Sequence, residues 1–196
     1  MKKPYIPLYC QYKANYREDI RQAIEECMEK CHRYNLLSPL QREEREALLR
    51  EIAGQVGKEV IVTSPFWCDY GYNLSFGDYF YSNHNLVIGD GAPVTFGSHV
   101  FVGPNCSFAT AEHSIHPDLR REGYEIAKPI NVEDNVWIGT GVSVLAGVRI
   151  GKNSVIGAGS VVTRDIPPNV VAYGIPCRAM RPITEKDRET YPIFEK

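Results

Sequence analysis

The sequence predicts a protein dominated by a parallel β-helix, with a helical cap before it and one long loop leaving its coils. Three observations support this prediction: a strict six-residue repeat over 132–167, the same period upstream at 76–109, and a polar interval at 111–129 that lacks it. A period of six matches neither a helix, which repeats every 3.6 residues, nor a single strand, which repeats every two. It is typical of coils in which each block supplies one short strand and a turn.

The repeat is clearest over 132–167, where six blocks of six residues follow one another. The first position of every block is aliphatic and β-branched: Val132, Ile138, Val144, Ile150, Ile156 and Val162. The fifth position is small or β-branched: Val136, Val142, Val148, Ser154, Ser160 and Ile166. Three blocks make one triangular coil, and these two positions fill its interior. No block can bury its aliphatic face alone, so we expect successive coils to stack.

A weaker form of the repeat precedes this stretch, with blocks that begin at Phe76, Ser82, Ile88, Phe96, Val102 and Phe108. The frame shifts by two residues at DGAPVT (90–95), where glycine and proline predict a bulged corner. The stretch 111–129 is polar and too long for a turn within a coil. We expect it to loop out of the prism, and long loops on rigid scaffolds often carry function.

Two helices are predicted before the repeat. The first covers 16–34 and has an apolar stripe at helical spacing. The second begins with Ser38 as its N-cap and Pro39 in the first helical position, and Gly54 can end it. We expect both helices to cap the open end of the β-helix, because an exposed strand edge would otherwise invite aggregation.

These boundaries divide the chain into a helical cap at 1–59, the β-helix at 60–167 with its loop at 111–129, and a C-terminal tail at 168–196. The net charge of −2 indicates neither a nucleic-acid footprint nor a membrane-binding patch. No apolar run approaches the ~18 residues of a membrane span, and no signal peptide follows Met1. We therefore expect a cytoplasmic protein with six reduced cysteines: Cys10, Cys27, Cys31, Cys68, Cys106 and Cys177.

Four segments carry a family resemblance: PFWCDYGYNLSFGDYFYSNHNL at 65–86, the histidine loop at 113–129, NVWIGTGV at 135–142, and IGAGSVVTRDIPPNVVAYGIPCR at 156–178. Together they resemble the hexapeptide-repeat acyltransferases, and more closely the maltose/galactoside O-acetyltransferase group, over 38–181. The resemblance implies a left-handed parallel β-helix, although chain physics favours right-handed crossovers. It also implies a homotrimer with active sites between neighbouring prisms, acetyl-CoA as the acyl donor, and no metal.

The same resemblance places His113 at the family's catalytic position. Acetyl transfer to a hydroxyl needs a base, and a neutral imidazole suits that role near neutral pH. Asn83, in YSNHNL, matches the family asparagine that hydrogen-bonds the acceptor beside that histidine. The residues alone leave two other interpretations open: His113 as a surface histidine, and Asn83 as a coil-corner residue. His116 is the local competitor of His113, and His84 lies beside Asn83.

An acceptor site is also implied by the resemblance, made of Asn83, Asp69, Asn15, Gly91 and Trp137. The galactoside enzyme has aspartate where this chain has Asn15, serine where it has Asp69, and aspartate where it has Gly91. Only Asn83 of the four acceptor contacts is retained, which argues against galactoside as the substrate. Asp69 can supply a carboxylate to a sugar hydroxyl or can orient His113, and Trp137 can form a pocket wall or pack in an interface.

For the donor, the resemblance implies that Thr140 presents its backbone N–H to the thioester as an oxyanion donor. It implies a coenzyme A arm lined by Ala158, Thr163, Arg164, Arg178 and Arg181. Arginine suits phosphate because its guanidinium is permanently charged and can bind in a bidentate manner. The alternative for these arginines is a solvated basic tail.

The sequence therefore predicts an acetyl-CoA-dependent O-acetyltransferase that acts on a sugar or a related small acceptor. One alternative is a xenobiotic acetyltransferase of the same fold, which modifies an antibiotic hydroxyl; the two-helix cap argues for the sugar group. A second is a metalloenzyme of the carbonic anhydrase type, which needs three histidines around zinc, with His84, His113 and His116 as the available set. A third is a trimeric scaffold without activity, against which the retained His113 and Asn83 argue.

Overall fold

The computed structural model describes residues 3–15 and 17–189, and most of this chain winds into a triangular β-prism. Before the prism come β1 (Gln11–Lys13), α1 (Glu18–Leu36) and α2 (Arg42–Ile52). The first coil contains β2 (Gln55–Val56), β3 (Ile61–Val62) and β4 (Phe66–Cys68). The second contains β5 (Leu74–Phe76), β6 (Tyr81–Ser82) and β7 (Leu86–Gly89). The third contains β8 (Val94–Phe96), β9 (Phe101–Val102) and β10 (Ser107–Ala109).

The chain then leaves the prism as β11 (Ala111–His113), α3 (Pro117–Arg121) and β12 (Tyr124–Ala127). It returns for a fourth coil with β13 (Ile130–Val132), β14 (Trp137–Ile138) and β15 (Ser143–Val144). The fifth coil contains β16 (Arg149–Ile150), β17 (Val155–Ile156) and β18 (Val161–Val162). The described chain ends with β19 (Val170–Gly174), β20 (Cys177–Pro182) and a 3₁₀ helix at Glu185–Glu189.

Strands at the same place in successive coils pair in parallel and so form three faces, which confirms the predicted parallel β-helix. The polar face consists of β2, β5, β8, β13 and β16, with outward side chains Gln55, Ser75, Thr95, Asn131 and Arg149. The aromatic face consists of β3, β6, β9, β14, β17 and β19, with outward side chains Ile61, Tyr81, Phe101, Trp137, Val155 and Val171. The serine face consists of β4, β7, β10, β15 and β18, with outward side chains Trp67, Val87, Ser107, Ser143 and Val161.

The inward side chains of each face stack directly on their equivalents in the coils above and below. The predicted first and fifth positions of 132–167 are all buried, between 0% and 3% exposed. In the upstream coils the interior is aromatic, and Phe96 lies against Phe76, Phe80 and Phe108 with ring centroids 5.6, 4.9 and 5.0 Å apart. Burial of such side chains stabilises the fold by about 1.5–3 kcal/mol each.

The N-terminal helices cover the open edge of the first coil, as predicted, and they do so with side-chain hydrogen bonds. The amide of Asn35 both donates to the Phe66 carbonyl at 3.0 Å and accepts the Phe66 N–H at 2.8 Å, as a neighbouring strand would. The Tyr34 hydroxyl donates to the Val62 carbonyl at 2.6 Å. Arg50 donates to two further carbonyls of this coil. Backbone groups that a neighbouring strand would otherwise satisfy are therefore paired.

Some predicted boundaries differ from the structure. Ser38 does not cap the second helix: its hydroxyl accepts the Leu40 N–H in a separate turn, and α2 begins three residues after Pro39. The first helix runs two residues beyond its predicted end, and position 16 lies outside the described residues. The prism already begins with β2, inside the range 1–59 that we assign to the cap. No helix among the described residues is long and apolar enough to cross a membrane.

Replacement of Phe96 by alanine tests the stacked interior. Phe96 is 1% exposed and contacts three other phenylalanine rings, so Phe96→Ala is expected to lower the free energy of unfolding by about 3–5 kcal/mol. Leu40→Ala, at a side chain that is 86% exposed, is the control and is expected to change it by less than about 0.5 kcal/mol. Urea unfolding of both variants measures the difference, and equal midpoints would contradict the proposed packing.

Candidate active site

The stretch predicted as a loop at 111–129 is an ordered β-arm. It leaves the prism at the corner between the serine and polar faces. β11 and β12 pair antiparallel, and β1 adds a third strand on the other side of β12. A two-stranded ribbon alone is marginal in water, so the N-terminal strand helps to stabilise the arm. The sequence did not predict β1, because the residues before position 16 show no periodic pattern.

His113, Glu125 and Tyr12 lie opposite one another on the three strands of the arm. Directly opposed residues place their side chains on the same side of a sheet. The Nδ1 of His113 lies 3.3 Å from Oε1 of Glu125, and the Tyr12 hydroxyl donates to Oε2 of Glu125 at 3.4 Å. Burial, and then the Glu125 carboxylate, raise the pKa of Tyr12 to about 12. The phenol therefore stays protonated and remains a donor.

Glu125 favours one tautomer of His113. In the neutral imidazole, a carboxylate at this distance from Nδ1 favours the tautomer with its hydrogen on Nδ1, which leaves the lone pair on Nε2. The His113 side chain is 59% exposed while that of Glu125 is 16% exposed, so the imidazole is accessible and the carboxylate is enclosed. A carboxylate that orients an imidazole in this way is the arrangement of a general base. Sequence reasoning missed Glu125 and Tyr12, because only the strand register brings them to His113.

The other histidines considered as site residues hydrogen-bond elsewhere. His116 is the N-cap of α3, and its Nδ1 accepts the Asp118 N–H at 3.3 Å. The Nδ1 of His84 lies 2.5 Å from the Ser64 carbonyl oxygen. Within the described ranges, the only histidine, cysteine or acidic side chains that converge closely enough to share a metal ion are three cysteines. The histidine geometry required for a carbonic anhydrase-type centre is therefore not formed by these residues.

The coil corners beneath the arm are held by two buried polar side chains. Oδ1 of the fully buried Asp90 accepts the backbone N–H groups of Asp69 and Tyr70, at 2.9 and 2.8 Å. In the next coil, Oγ1 of Thr110 accepts the N–H of Ala92 at 2.9 Å. The shifted frame at 90–95 is thus an enlarged corner with its backbone groups satisfied. These corners support the arm because Thr110 directly precedes β11.

Asp69 lies near the His113–Glu125 pair but does not orient the histidine. Its pKa is raised, first because the surrounding protein displaces water and second because of the Glu125 carboxylate nearby. Asp69 nevertheless keeps an exposed surface, so it can still meet a bound molecule. The sequence left two roles open for Asp69: contact with a sugar hydroxyl and orientation of His113. Glu125 makes the contact with His113, so the contact with a sugar hydroxyl is the role that remains for Asp69.

Asn15 and Gly91 border the same region less directly. Asn15 follows β1 and packs on Gly123 of the arm, where a Cβ would lie 2.5 Å from the Asn15 Cβ. Gly91 is buried beside Ala111, and a Cβ on it would lie 3.6 Å from the Ala111 Cβ. Gly91 therefore marks the base of the arm without offering a side chain to an acceptor.

A second cluster occupies the corner between the aromatic and serine faces. An open cleft of about 500 Å³ is lined there by Tyr81, Asn83, Phe101, Val102, Gly103, Pro104, Trp137, Gly139 and Thr140. Oδ1 of Asn83 accepts the His84 N–H at 2.8 Å, which leaves the NH₂ group as a donor. The left-handed corner residue is Asn85, with φ of 61°, and not Asn83. Corner conformation therefore does not explain why asparagine occupies position 83.

Thr140 lines this cleft with a free backbone donor. The Thr140 N–H makes no hydrogen bond to any part of the chain that the structure describes. No side chain covers it from the preceding coil, because Gly103 faces it and a Cβ there would lie only 2.8 Å from the Thr140 nitrogen. An unpaired N–H beside an open cleft is the geometry that an oxyanion donor needs.

His113 and Asn83 are not brought together within one chain. Asn83 lies at the corner between the aromatic and serine faces, and His113 extends from the far edge of the serine face. In the third coil these corners lie five residue steps apart, from Asn105 to Thr110, which corresponds to about 16 Å of extended chain. The two clusters therefore lie on opposite edges of one face.

The residues predicted to bind acetyl-CoA also lie at two separate corners of the prism. Ala158 lies at the same corner as Thr140, one coil further on, and its nitrogen would be 2.7 Å from a Cβ on Gly139. Thr163 and Arg164 are exposed at the opposite corner, after β18.

The two arginines of β20 differ in their partners. Arg178 Nη1 donates to the neighbouring Cys177 carbonyl at 2.7 Å. Arg181 is held by both carboxylate oxygens of Asp187, at 2.9 and 2.7 Å, and this guanidinium lowers the pKa of Asp187. Arg181 must therefore exchange a bidentate partner before it can bind a phosphate.

Six-residue coils stacked as a parallel β-helix are the architecture of the hexapeptide-repeat transferases. The family profile described as bacterial transferase hexapeptide (six repeats) matches residues 129–164. The profile described as maltose acetyltransferase hexapeptide capping motif matches residues 11–57, which contain β1, α1, α2 and β2. Profiles of acetyltransferase or transferase families therefore match both the repeat and the cap of this chain.

Comparison with whole proteins narrows this class. Galactoside O-acetyltransferase of Lactococcus lactis is 45% identical over 165 residues, which cover 84% of this chain and 80% of that protein. The structure of a maltose O-acetyltransferase from Clostridium difficile 630 is 42% identical, with a TM-score of 0.86 and coverage of 89% and 93%. A galactoside acetyltransferase in complex with coenzyme A is 39% identical, with a TM-score of 0.87 and coverage of 94% and 91%. The chain belongs to the hexapeptide-repeat acetyltransferases, in the maltose/galactoside O-acetyltransferase group.

The buried Asp90 carboxyl is expected to make stability depend on pH. Burial raises its pKa from 3.8 to about 6, so the folded state binds the proton more tightly than the unfolded state. The resulting stabilisation is complete below pH 3.8 and is lost as pH rises through about 6, a change of about 3 kcal/mol. Asp90→Asn keeps Oδ1 as an acceptor and removes the titration. Between pH 4 and 7, urea unfolding is expected to show this loss of unfolding free energy in the wild type and not in Asp90→Asn. Curves of unfolding free energy against pH that run parallel in the two proteins would contradict the prediction.

Proposed function

We propose that this acetyltransferase moves an acetyl group from acetyl-CoA to a hydroxyl of a sugar or related small acceptor, with His113 as the general base. The observation that carries the proposal is the His113–Glu125 pair, in which the carboxylate lies beside Nδ1 of an exposed imidazole and so favours Nε2 as the proton acceptor. The relatives named as galactoside and maltose O-acetyltransferases, and the one solved with coenzyme A, support the donor and the acceptor class. The xenobiotic alternative has no observation of its own in its favour.

Direct transfer within a ternary complex uses each of these groups once. Nε2 of His113 takes the proton from the acceptor hydroxyl as its oxygen attacks the thioester carbonyl carbon. Glu125 holds the Nδ1–H and stabilises the imidazolium that forms. The Thr140 N–H stabilises the negative charge on the carbonyl oxygen of the tetrahedral intermediate. The intermediate then expels the coenzyme A thiolate, which takes the proton from His113.

Two copies of the chain complete each site in this proposal. The half-site with His113 and the half-site with Asn83 and Thr140 are separated by the width of the serine face, so the serine face of one copy must approach the cleft of another. Apolar side chains of the aromatic face lie in and beside that cleft: Phe101 and Trp137 line it and Ile61 lies further along the face, and they are 50%, 57% and 55% exposed in a single chain. Exposed apolar surface of this kind favours a protein interface. When two different faces of a protein contact each other, the copies form a ring if the rotation between them closes. The family resemblance implies that this ring is a homotrimer.

The acceptor in this arrangement is bound between the arm and the neighbouring cleft. Asn83 donates through its NH₂ group to an acceptor oxygen, and Asp69 accepts from a second hydroxyl. Asn15 offers a further amide at the edge of the arm, and Trp137 provides an apolar wall. Gly91 leaves room where the galactoside enzyme has a side chain. A small polyhydroxylated acceptor other than galactoside fits this set best.

Coenzyme A lies along the groove between copies, with its pantetheine arm against the small residues of the cleft corner. Ala158 lets the arm approach the backbone, and Thr163 donates from the neighbouring copy's corner. Arg164 and Arg178 face the phosphates, and Arg181 joins them only where it releases Asp187. Exposed phosphate contacts of this kind are screened by salt over about 8–10 Å.

The arm histidine is tested by His113→Ala, with His116→Ala as a matched control on the same arm. Loss of a general base is expected to lower kcat by about 10²–10⁴-fold, with KM for acetyl-CoA little changed. His116 only caps a five-residue helix, so its variant is expected to keep kcat within about threefold of wild type. Steady-state release of coenzyme A with sugars and polyols measures both. Near-wild-type turnover of His113→Ala would refute the assignment.

The shared site is tested by mixing two inactive variants, His113→Ala and Asn83→Ala. If each site takes its histidine from one copy and its asparagine from the next, random mixed trimers regain about a quarter of the wild-type sites. The variants are unfolded together, refolded and assayed, and each variant refolded alone is the control. Activity that stays at the level of the single variants would place both residues in one chain's site.

The donor groove is tested by Arg178→Ala and Arg181→Ala. Loss of a charge-assisted hydrogen bond at the partly exposed Arg178 is expected to raise KM for acetyl-CoA about tenfold, and less at high salt. Arg181→Ala is expected to raise it less than about threefold, because Asp187 already holds that guanidinium. The KM of the acceptor serves as the internal control in both variants. A larger effect at Arg181 than at Arg178 would contradict the proposed contacts.

A further inference from the structure

Three cysteine side chains meet beneath the candidate acceptor site, at a place that the proposed transfer does not use. Cys27 and Cys31 lie on α1, and Cys68 lies on β4. The Cys68 sulfur is 3.5 Å from that of Cys27 and 3.7 Å from that of Cys31. All three sulfurs lie within 4.8 Å of one another. The other three cysteines, Cys10, Cys106 and Cys177, have no such neighbours in the described chain.

The local folds explain why these sulfurs converge. Residues four apart on a helix share a face, and Cys27 and Cys31 occupy the face of α1 that packs on β4. Cys68 is the inward residue at the end of β4, where the side chains alternate between the interior and the outside. All three side chains are between 0% and 4% exposed. The cluster is therefore rigidly placed at the contact between the helical cap and the prism.

A thiolate is the form of cysteine that binds metals, and three buried sulfurs that already lie in contact offer one ion three such ligands at once.

The spacing of the sulfurs fits one metal ion. Zinc binds thiolate at about 2.3 Å with tetrahedral geometry, for which two sulfurs lie about 3.8 Å apart. The contacts of Cys68 with Cys27 and with Cys31 are close to that edge. Three sulfurs that all lie within 4.8 Å of one another can therefore serve as three corners of a tetrahedron around one ion.

We propose that Cys27, Cys31 and Cys68 form a binding site for one thiophilic divalent metal ion, and that this ion is Zn²⁺. Binding joins the ion to three thiolates and releases to solvent the protons that the thiols carried. A divalent ion with three thiolates leaves a net charge of −1, whereas a monovalent ion would leave −2 in a buried site, which is less favourable. This site departs from our expectation that the protein holds no metal.

The consequence of the site is structural and reaches the acceptor region. Cys68 directly precedes Asp69, and α1 carries the residues that satisfy the edge of the first coil. An ion that links α1 to β4 therefore fastens the cap to the prism. Binding to the folded state alone raises the melting temperature, by about 5–10 °C for a protein of this size at a hundredfold excess over Kd.

The test uses the full chain, reduced, stripped of metal with a chelator, and titrated with Zn²⁺ alone. Calorimetry in buffers of different ionisation enthalpy is expected to report one ion per chain and a release of protons on binding. The apparent affinity is expected to fall by at least about tenfold for each unit that the pH is lowered, because protons compete with the ion for the thiolates. Cd²⁺ in place of Zn²⁺ is expected to add an ultraviolet thiolate-to-metal absorption band with the same stoichiometry. Absence of saturable binding in the wild type would overturn the proposal.

Variants separate this site from adventitious thiol binding. Cys68→Ser removes the sulfur common to both short contacts and is expected to weaken Zn²⁺ binding at least a hundredfold. Cys106→Ser, at a buried single thiol in the same prism, is expected to bind as the wild type does. Cys31→Ser provides a second test should Cys68→Ser fail to fold, and it is expected to lose the Cd²⁺ band. Equal binding in the wild type and in a folded Cys68→Ser or Cys31→Ser variant would overturn the proposal.

Discussion

Stacking of coils that cannot bury their own apolar side chains is the constraint on which the rest of this structure depends. Each coil is only three short strands long, and its interior residues are covered above and below by the equivalent residues of the next coil. The ladder that runs through Val62, Val102 and Ile138 is an example, with every member at 2% exposure or less. A stack of this kind has two ends, and each end must be covered. The cap helices meet this requirement by offering side-chain donors and acceptors to the strand edge, as Asn35 does for Phe66.

The same constraint explains where function can be placed. Interior positions are fixed by the six-residue register, and corners are the only points at which residues can be inserted without disturbing it. The corner between the serine and polar faces has accepted larger connections in three successive coils: 69–73, 90–93 and the arm at 110–129. The corner between the aromatic and serine faces stays tight, and its closely stacked glycines leave the Thr140 N–H exposed. One edge of the serine face therefore carries His113, and the other carries the Asn83 amide and the Thr140 N–H.

The arm shows how far the candidate site could be predicted. His113 was identified because it matches a family position, and its neighbour His116 could be set aside only after it was found to cap α3. Glu125 lies twelve residues beyond His113, and no spacing rule links the two. Their contact results from the antiparallel pairing of β11 with β12, and that ribbon in turn depends on β1. A strand formed by residues from the other end of the sequence leaves no local signal, so the partner of the base was not predictable.

The sequence by itself determined the solenoid, because a six-residue period is a local property that each block repeats. It also determined the presence of the cap and of an interruption between the third and fourth coils, since both appear as changes of period. The start of α2 was predicted three residues too early, because Ser38 and Pro39 form a turn that also satisfies helix-start rules. Only the tertiary structure decided the partner of His113, the separation of His113 from Asn83 within one chain and the meeting of Cys27, Cys31 and Cys68. Each of these depends on which segments pack together, and a contact such as that between Cys27 and Cys68, 41 residues apart, leaves no periodic trace in the chain.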